Sequence, residues 1–391
     1  MSTTAYITSA VIEWARKRAN LSLDELAYKL HVPPENVAEW ESGKKRPSLS
    51  KAEAIAARLR IPFGYLFLSQ LPEDDVPLPD LRTVSGERPE NPSLDFIEVV
   101  QSTLLKQQWF SEYMQESHAT ELPFVGTARL GGNVKRIAED MRRALGIDRQ
   151  MRSQCSSWEQ FKTEFVRRAE SIGVLVMQSG VAGSNTRRLS VHEFRGFAII
   201  DNFAPTVFIN ARDAKGAKIF TLAHELAHIW LGESGVSNPD PRKRSIEEMN
   251  RVEQFCNKVA SEVLVPSEGL SQTWIAKQSL DQNVNRLVRI YRVSKYVVAR
   301  QAYELDRITR PEYFDYLEQH KKLWRPQEDD PDDSDDESGG NFYLTFAVRN
   351  SRRLIAGVAR ALGENRISFR DASSLLGVKI ATLKKVADRL G

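Results

Sequence analysis

Apolar residues recur at three- and four-residue spacing through most of this chain, and alternate only in one short central stretch. The helical spacing marks an amphipathic segment from Ile7 to Arg18. Ser22-Leu23-Asp24-Glu25 is a capping box that starts a second helix ending at Leu30. His31-Val32-Pro33 turns into a third helix, Pro34 to Glu41, which Gly43 stops, and Ala52 to Leu59 is a fourth. A proline-rich stretch between Leu71 and Arg82 reads as an extended connector. Helical patterns resume at Ser93 to Glu116, Asn133 to Leu145 and Trp158 to Ser171. The period then changes. Val174 to Met177, Gly196 to Ile200 and Thr206 to Ile209 read as short strands, the last two flanking a hairpin turn at Asp201 to Pro205. The fold class is therefore α+β, predominantly helical, with a small sheet.

Two later helices carry the candidate chemistry. Phe220 to Trp230 is an apolar helix holding the pattern H-E-x-x-H, with His224 and His228 at i and i+4 so that one face presents both imidazoles to a single point. Zinc takes nitrogen donors at about 2 Å, and Glu225, beside the first histidine, is placed to act as general base toward water. Two imidazoles hold zinc poorly alone, so a third ligand is needed. The helix from Ile246 to Leu264 offers Glu253, Cys256 and Asn257. Glu253 is the favoured ligand, since two histidines, a carboxylate and an open water position make a hydrolytic site; the rival is Cys256. Asn257 shares the face of Glu253 and is placed to accept a bond from a histidine N–H, whereas Glu262 faces away.

The runs FTLAHELAHIWLG and VEQFCNKVASEVLVP resemble the ImmA/IrrE family of zinc metallopeptidases, whose H-E-x-x-H helix is followed by a helix with E-x-x-A-N and a Leu-Leu-x-Pro-like end. Gly173-Val174-Leu175-Val176, Phe194-Arg195-Gly196-Phe197 and Thr206-Val207-Phe208-Ile209-Asn210 extend the resemblance over roughly Gly173 to Leu305. It implies zinc on His224, His228 and Glu253, Glu225 as catalytic base, and a protein substrate such as a helix-turn-helix repressor. The sequence departs from the family at Cys256, where alanine is usual; so small a buried change is expected to leave activity intact.

Composition adds limits. Hydrophobic residues at 41% suffice for cores, and no run of eighteen apolar residues exists to span a membrane. The N-terminus lacks the pattern of a secretory signal, and two distant cysteines, Cys155 and Cys256, argue for a reducing, cytoplasmic setting without disulfides. A net charge of +3 decides nothing globally. Its distribution is more telling. Glu328 to Glu337 holds eight acidic residues in ten, the pattern of a solvated linker, and Asn341 to Gly391 carries ten Lys/Arg against three Asp/Glu. The expected division is 1–70, 71–172 (connector and helices), 173–327 (peptidase-like), 328–340 (linker) and 341–391 (flexibly attached basic helical module).

The first seventy residues resemble the helix-turn-helix domain of phage-repressor-like (XRE) regulators, whose third helix enters the major groove. Here that helix offers Glu35, Glu39 and Glu41 and no basic residue, so carboxylates would face phosphates. Lys44, Lys45 and Arg46 follow it and are the candidate nucleic-acid contacts, positioning without base readout. DNA binding and a protein-recognition or dimerisation role both stay open. The offsets Ala27, Leu30, Val32, Val37 recur at Val288, Tyr291, Val293, Val298 and at Ser373, Leu376, Val378, Leu383. The expected protein is a zinc metalloendopeptidase, the alternative a DNA-binding regulator or antitoxin-like protein whose zinc site senses or holds the fold.

Overall fold

The computed structural model describes residues 4–72, 92–183, 187–214, 216–232, 246–320, 342–383 and 385. The chain divides into two compact units, Met1–Val76 with Pro89–Glu98, and Pro77–Arg88 with Val99–Gly391. The acidic run 328–340 and nearly all of the 71–82 connector lie outside the described residues.

The first unit is built from α1 (Ser9–Arg18), α2 (Leu23–Leu30), α3 (Pro34–Glu41), α4 (Leu49–Leu59) and a 3₁₀ turn at Phe63–Phe67. The capping box closes at the start of α2: Ser22 Oγ accepts the Glu25 N–H at 3.1 Å, and the Glu25 carboxylate accepts the Ser22 N–H at 2.7 Å. His31 ends α2 in the left-handed region at φ 53°, which turns the chain sharply into α3. Val11, Ile12, Leu26, Val37, Trp40, Ile55 and Leu59 fill the centre. α4 begins three residues earlier than its apolar pattern, because Ser48 Oγ caps the Lys51 N–H at 3.3 Å.

The second unit continues through α5 (Leu94–Glu116), α6 (Val134–Leu145), α7 (Arg149–Gln154) and α8 (Trp158–Ser171) to the strands β1 (Leu175–Ser179), β2 (Gly196–Ile199) and β3 (Thr206–Asn210). Then follow α9 (Lys218–Leu231), α10 (Ile246–Leu264), α11 (Ser267–Thr273), α12 (Leu280–Tyr291), α13 (Lys295–Glu304) and α14 (Arg310–Gln319). The sheet order is β1-β3-β2, with β1 parallel and β2 antiparallel to β3, so the hairpin read from the pattern forms. α9 lies against β2 and β3 on one side and α10 on the other, and every one of its residues is buried. Its C-terminus is pinned: Gly126 and Ala128 donate to Ile229 O and Trp230 O at 3.0 and 2.8 Å, and Trp230 stacks on Phe124. Gly232 then leaves the helix at φ 69°, where a Cβ would stand 2.7 Å from Gly126 Cα.

Two arginines, Arg152 buried and Arg142 half-buried, tie the helix ends together. Arg142 donates to Glu262 O at 2.6 Å, and Arg152 donates to Val263 O at 3.2 Å and to Tyr291 O, so cations meet the carbonyl ends of α10 and α12. Burial pushes the Arg152 pKa down to about 9.

The basic C-terminal segment folds into α15 (Phe342–Asn350), α16 (Arg352–Gly363) and α17 (Phe369–Leu376), helical as expected but docked on its own unit where a loose attachment was read. α15 packs on β1 and scarcely on β3 or β2, which places it along the outer edge of the sheet. The carboxylate of Glu170 on α8 accepts Ser351 Oγ–H at 2.6 Å and the Arg352 N–H at 2.8 Å. Arg366 reaches Glu116 at 2.5 Å. No described helix is long and apolar enough to cross a membrane.

Candidate metal centre

The H-E-x-x-H pattern becomes a site because of how α9 is held. At 100° per residue, Thr221, His224, His228 and Glu225 fall on one stripe about 100° wide, facing α10 and the start of β2. His224 Nε2 and His228 Nε2 stand 3.1 Å apart. Glu253, from α10, places Oε2 3.1 Å from the first and Oε1 3.1 Å from the second. Ligand atoms about 2 Å from a zinc ion at tetrahedral angles stand about 3.3 Å apart, so the three donors are spaced as a zinc triad requires. Among the described residues this is the one group of such side chains converging within 4.8 Å. The histidines have side chains 0% and 3% exposed and Glu253 21%, so solvent meets the group from the carboxylate side.

The electrostatics show how strongly these groups depend on one another. Burial pushes the His228 pKa down, but the Cys256 thiol and the Glu253 carboxylate hold it well above the ordinary value. Burial pushes Glu253 up, and the two imidazoles hold it well below the ordinary carboxylate range. Burial raises the Cys256 thiol.

Glu225 is 1% exposed. A Cβ at Gly196, the first residue of β2, would lie 3.1 Å from Glu225 Oε1, 2.7 Å from Thr221 Cγ2 and 2.9 Å from Phe208 O. The carboxylate of Glu225 therefore occupies room that only a glycine leaves. Thr221 in turn donates to Asp213 Oδ2 at 3.4 Å, and Arg195 NH1 is 3.8 Å from Asp213 Oδ1, all three buried.

Of the residues singled out in the sequence, His224, His228 and Glu253 come together, while Glu225 is buried on the same stripe of α9 with its carboxylate against Gly196. Cys256 stands beside His228 but outside the converging group. Asn257 makes no bond to either imidazole through its amide oxygen: Oδ1 is buried without a hydrogen-bond partner among the described residues. Glu262 faces away as read, accepting from Ser267 and Gln301 at 3.0 Å. The contact of Gly196 with Glu225 was missed. Its signal was a strand that begins on glycine, which marks close backbone approach.

In the first unit the objection to DNA weakens. Glu41, read as facing a groove, is turned inward and held by Arg16 through both oxygens at 2.7 and 2.8 Å. Lys45 sits 3.3 Å from Glu39, and Arg46 lies over Tyr6 at 4.3 Å. Lys44, Lys45 and Arg46 are exposed beside a third helix in which Glu35 is exposed and Glu39 and Glu41 are half-buried.

Residues 169–303 match the model of the IrrE N-terminal-like domain of the M78 peptidases, and residues 12–66 match a helix-turn-helix model. No curated protein shows significant similarity to the chain. Among solved structures, PlcR of Bacillus thuringiensis in complex with the peptide PapR7 and DNA aligns over 99% of each chain at 12% identity, but the TM-score of 0.16 is too low to indicate a common fold. The chain thus carries an XRE-type helix-turn-helix domain followed by an IrrE-like domain of the M78 peptidase family, the architecture of the ImmA/IrrE proteins.

Proposed function

We propose that the chain is a zinc-dependent endopeptidase acting on a protein substrate, with His224, His228 and Glu253 as metal ligands and Glu225 as general base. The observation that carries this reading is the mutual 3.1 Å spacing of three donors from two helices. A zinc ion held there would supply an acidified water and a polarised scissile carbonyl. Glu225 accepts the water proton and returns it to the departing amine. Its pocket against Gly196 and Thr221 limits the carboxylate to a narrow range of positions, which is what a base needs to meet a proton without searching for it. The family resemblance points to a helix-turn-helix repressor as the substrate.

The test is Glu225→Gln, which keeps the ligands and removes the base. Proteomic comparison of cells carrying the two proteins should reveal a cleavage product dependent on Glu225, while purified samples hold equal metal. Equal cleavage by both proteins would refute the assignment.

A second role is supported by the first unit. Its helix-turn-helix domain, with Glu41 withdrawn and Lys45 screening Glu39, makes weak, salt-dependent DNA binding through Lys44, Lys45 and Arg46 the reading to test. Fluorescence anisotropy of a labelled duplex across a salt series decides it: binding that survives replacement of all three residues, or none at low salt, refutes it.

A further inference from the structure

The corner at the end of α17 repeats, bond for bond, the corner between α2 and α3. Ser368 Oγ accepts the Asp371 N–H at 3.1 Å, as Ser22 Oγ accepts the Glu25 N–H at 3.1 Å. Both helices run eight residues and end in the left-handed region, at Gly377 (φ 65°) and at His31 (φ 53°). The Val378 N–H then donates back to Ser373 O at 3.0 Å, as the Val32 N–H does to Ala27 O at 3.1 Å. Residues 380–383 and 385 are helical in the place that α3 takes, and Leu383 is buried where Val37 is. Leu354, Ile355 and Val358 of α16, which packs on α17, are buried as well.

A tight corner alone names no ligand, since Arg292 makes one inside the IrrE-like domain. The side chains it presents are what differ. Position for position, Asp24, Glu35 and Glu39 of the first corner become Arg370, Ala381 and Lys385, and Pro33 becomes Lys379. Arg370, Lys379 and Lys385 are all exposed. The two acids between Arg352 and Lys385 are engaged elsewhere: Glu364 lies 3.7 Å from Arg366, and Asp371 accepts the Ser368 hydroxyl at 2.7 Å.

We propose that residues 351–385 form a second helix-turn-helix module, which binds duplex DNA through phosphate contacts from Arg370, Lys379 and Lys385. The inference rests neither on the metal site nor on the N-terminal domain. In such a module the last helix enters the major groove by its N-terminal residues, and the helix before it lies across the backbone. Ile380 and Ala381, both exposed, then meet base edges, where apolar groups touch thymine methyls.

The test uses the full chain carrying Lys44→Ala, Lys45→Ala and Arg46→Ala, which takes the N-terminal cations out of play. Anisotropy of a fluorescein-labelled duplex of mixed sequence is followed across a salt series, and this protein should still bind. Three phosphate contacts supply about 2.7 of slope in log affinity against log salt, or about 40-fold between 50 and 200 mM. Adding Arg370→Ala, Lys379→Ala and Lys385→Ala should remove that share. Removing the same charge at Lys135, Arg136 and Arg149, exposed on α6 and α7, should not. Lys385→Glu alone, which restores the sign that Glu39 carries in the first corner, should weaken binding more than Lys385→Ala does, and decides the matter should the triple variant melt lower. Absence of duplex binding at low salt, an unchanged salt slope, or equal losses from the two sets of three would overturn the proposal. Tighter binding of single-stranded DNA or of duplex RNA would overturn the assignment to duplex DNA.

Discussion

Adding one methyl group at Gly196 should damage both the fold and the reaction. The built Cβ lies 2.7 Å from Thr221 Cγ2, about 0.7 Å inside the roughly 3.4 Å at which ordinary carbon contacts begin. Thr221 cannot swing aside freely, because α9 is buried on every side and the Thr221 hydroxyl is held by Asp213. The second clash, 2.9 Å to Phe208 O, is with the backbone of the central strand, and no rotamer change relieves it. β2 and α9 must therefore separate by some tenths of an ångström, and Glu225 Oε1, 3.1 Å from the same point, is pushed off its place. Overpacking of this kind costs about 1–3 kcal/mol. At about 2–4 °C per kcal/mol for a domain of this size, Gly196→Ala should melt roughly 2–12 °C lower. A shift of about 1 Å in a catalytic group costs on the order of 100-fold in rate. Thermal melts and cleavage of the product identified through Glu225→Gln give the two readings, with zinc content measured alongside. Gly64→Ala is the control, since nothing lies within 4 Å of its built Cβ. A Gly196→Ala protein that melts and cleaves like the wild type would show that the sheet yields at no cost and that Glu225 is not held by this contact.

In metal-free protein, the raised His228 pKa adds stability that is complete below 6.5 and lost as pH rises through the folded value. The lowered Glu253 pKa adds stability that is complete above 4.5 and lost as pH falls. Melting of the stripped protein should thus be highest between about pH 4.5 and 6.5, and zinc loading should move the optimum upward, because protons compete with metal for these atoms; an optimum above pH 8 without metal contradicts the coupling. Arg16→Ala strands the inward-facing Glu41 and should cost the first unit about 1–3 kcal/mol, whereas Arg16→Met with Glu41→Leu should recover most of it; two-state urea melts of the N-terminal unit decide. Glu170→Ala removes the acceptor at the start of α16 and should raise amide exchange across 342–376 while leaving α9 protected; unchanged exchange would mean that apolar packing alone holds the C-terminal helices.

The site was more legible than its surroundings. His224, Glu225 and His228 announce themselves because a metal needs donors one helical turn apart, and that spacing survives in the linear chain. Glu253 was reachable because α10 repeats the same logic on one face. What could not be read was anything depending on where two segments meet. Asn257 shares a face with Glu253, yet its buried oxygen finds no hydrogen-bond partner among the described residues, because which side chains meet is set by how α9 and α10 cross. Glu41 looked groove-facing because its helix was read without α1, whose Arg16 draws it inward. The left-handed corners at His31, Arg292 and Gly377 follow the repeated offsets, but the middle one lies inside the IrrE-like domain, so the spacing marks a tight corner and no particular ligand.

The placement of α15 along β1 also bears on how copies of this chain behave toward one another. A sheet with two unpaired edges can join neighbours on both sides and grow into a fibre. Here the β1 margin is covered by a helix from the same chain, and every residue of β2, at the other margin, is buried. The C-terminal helices thus keep β1 from a neighbour's backbone, and their loss would expose a margin at which β-pairing between copies could begin.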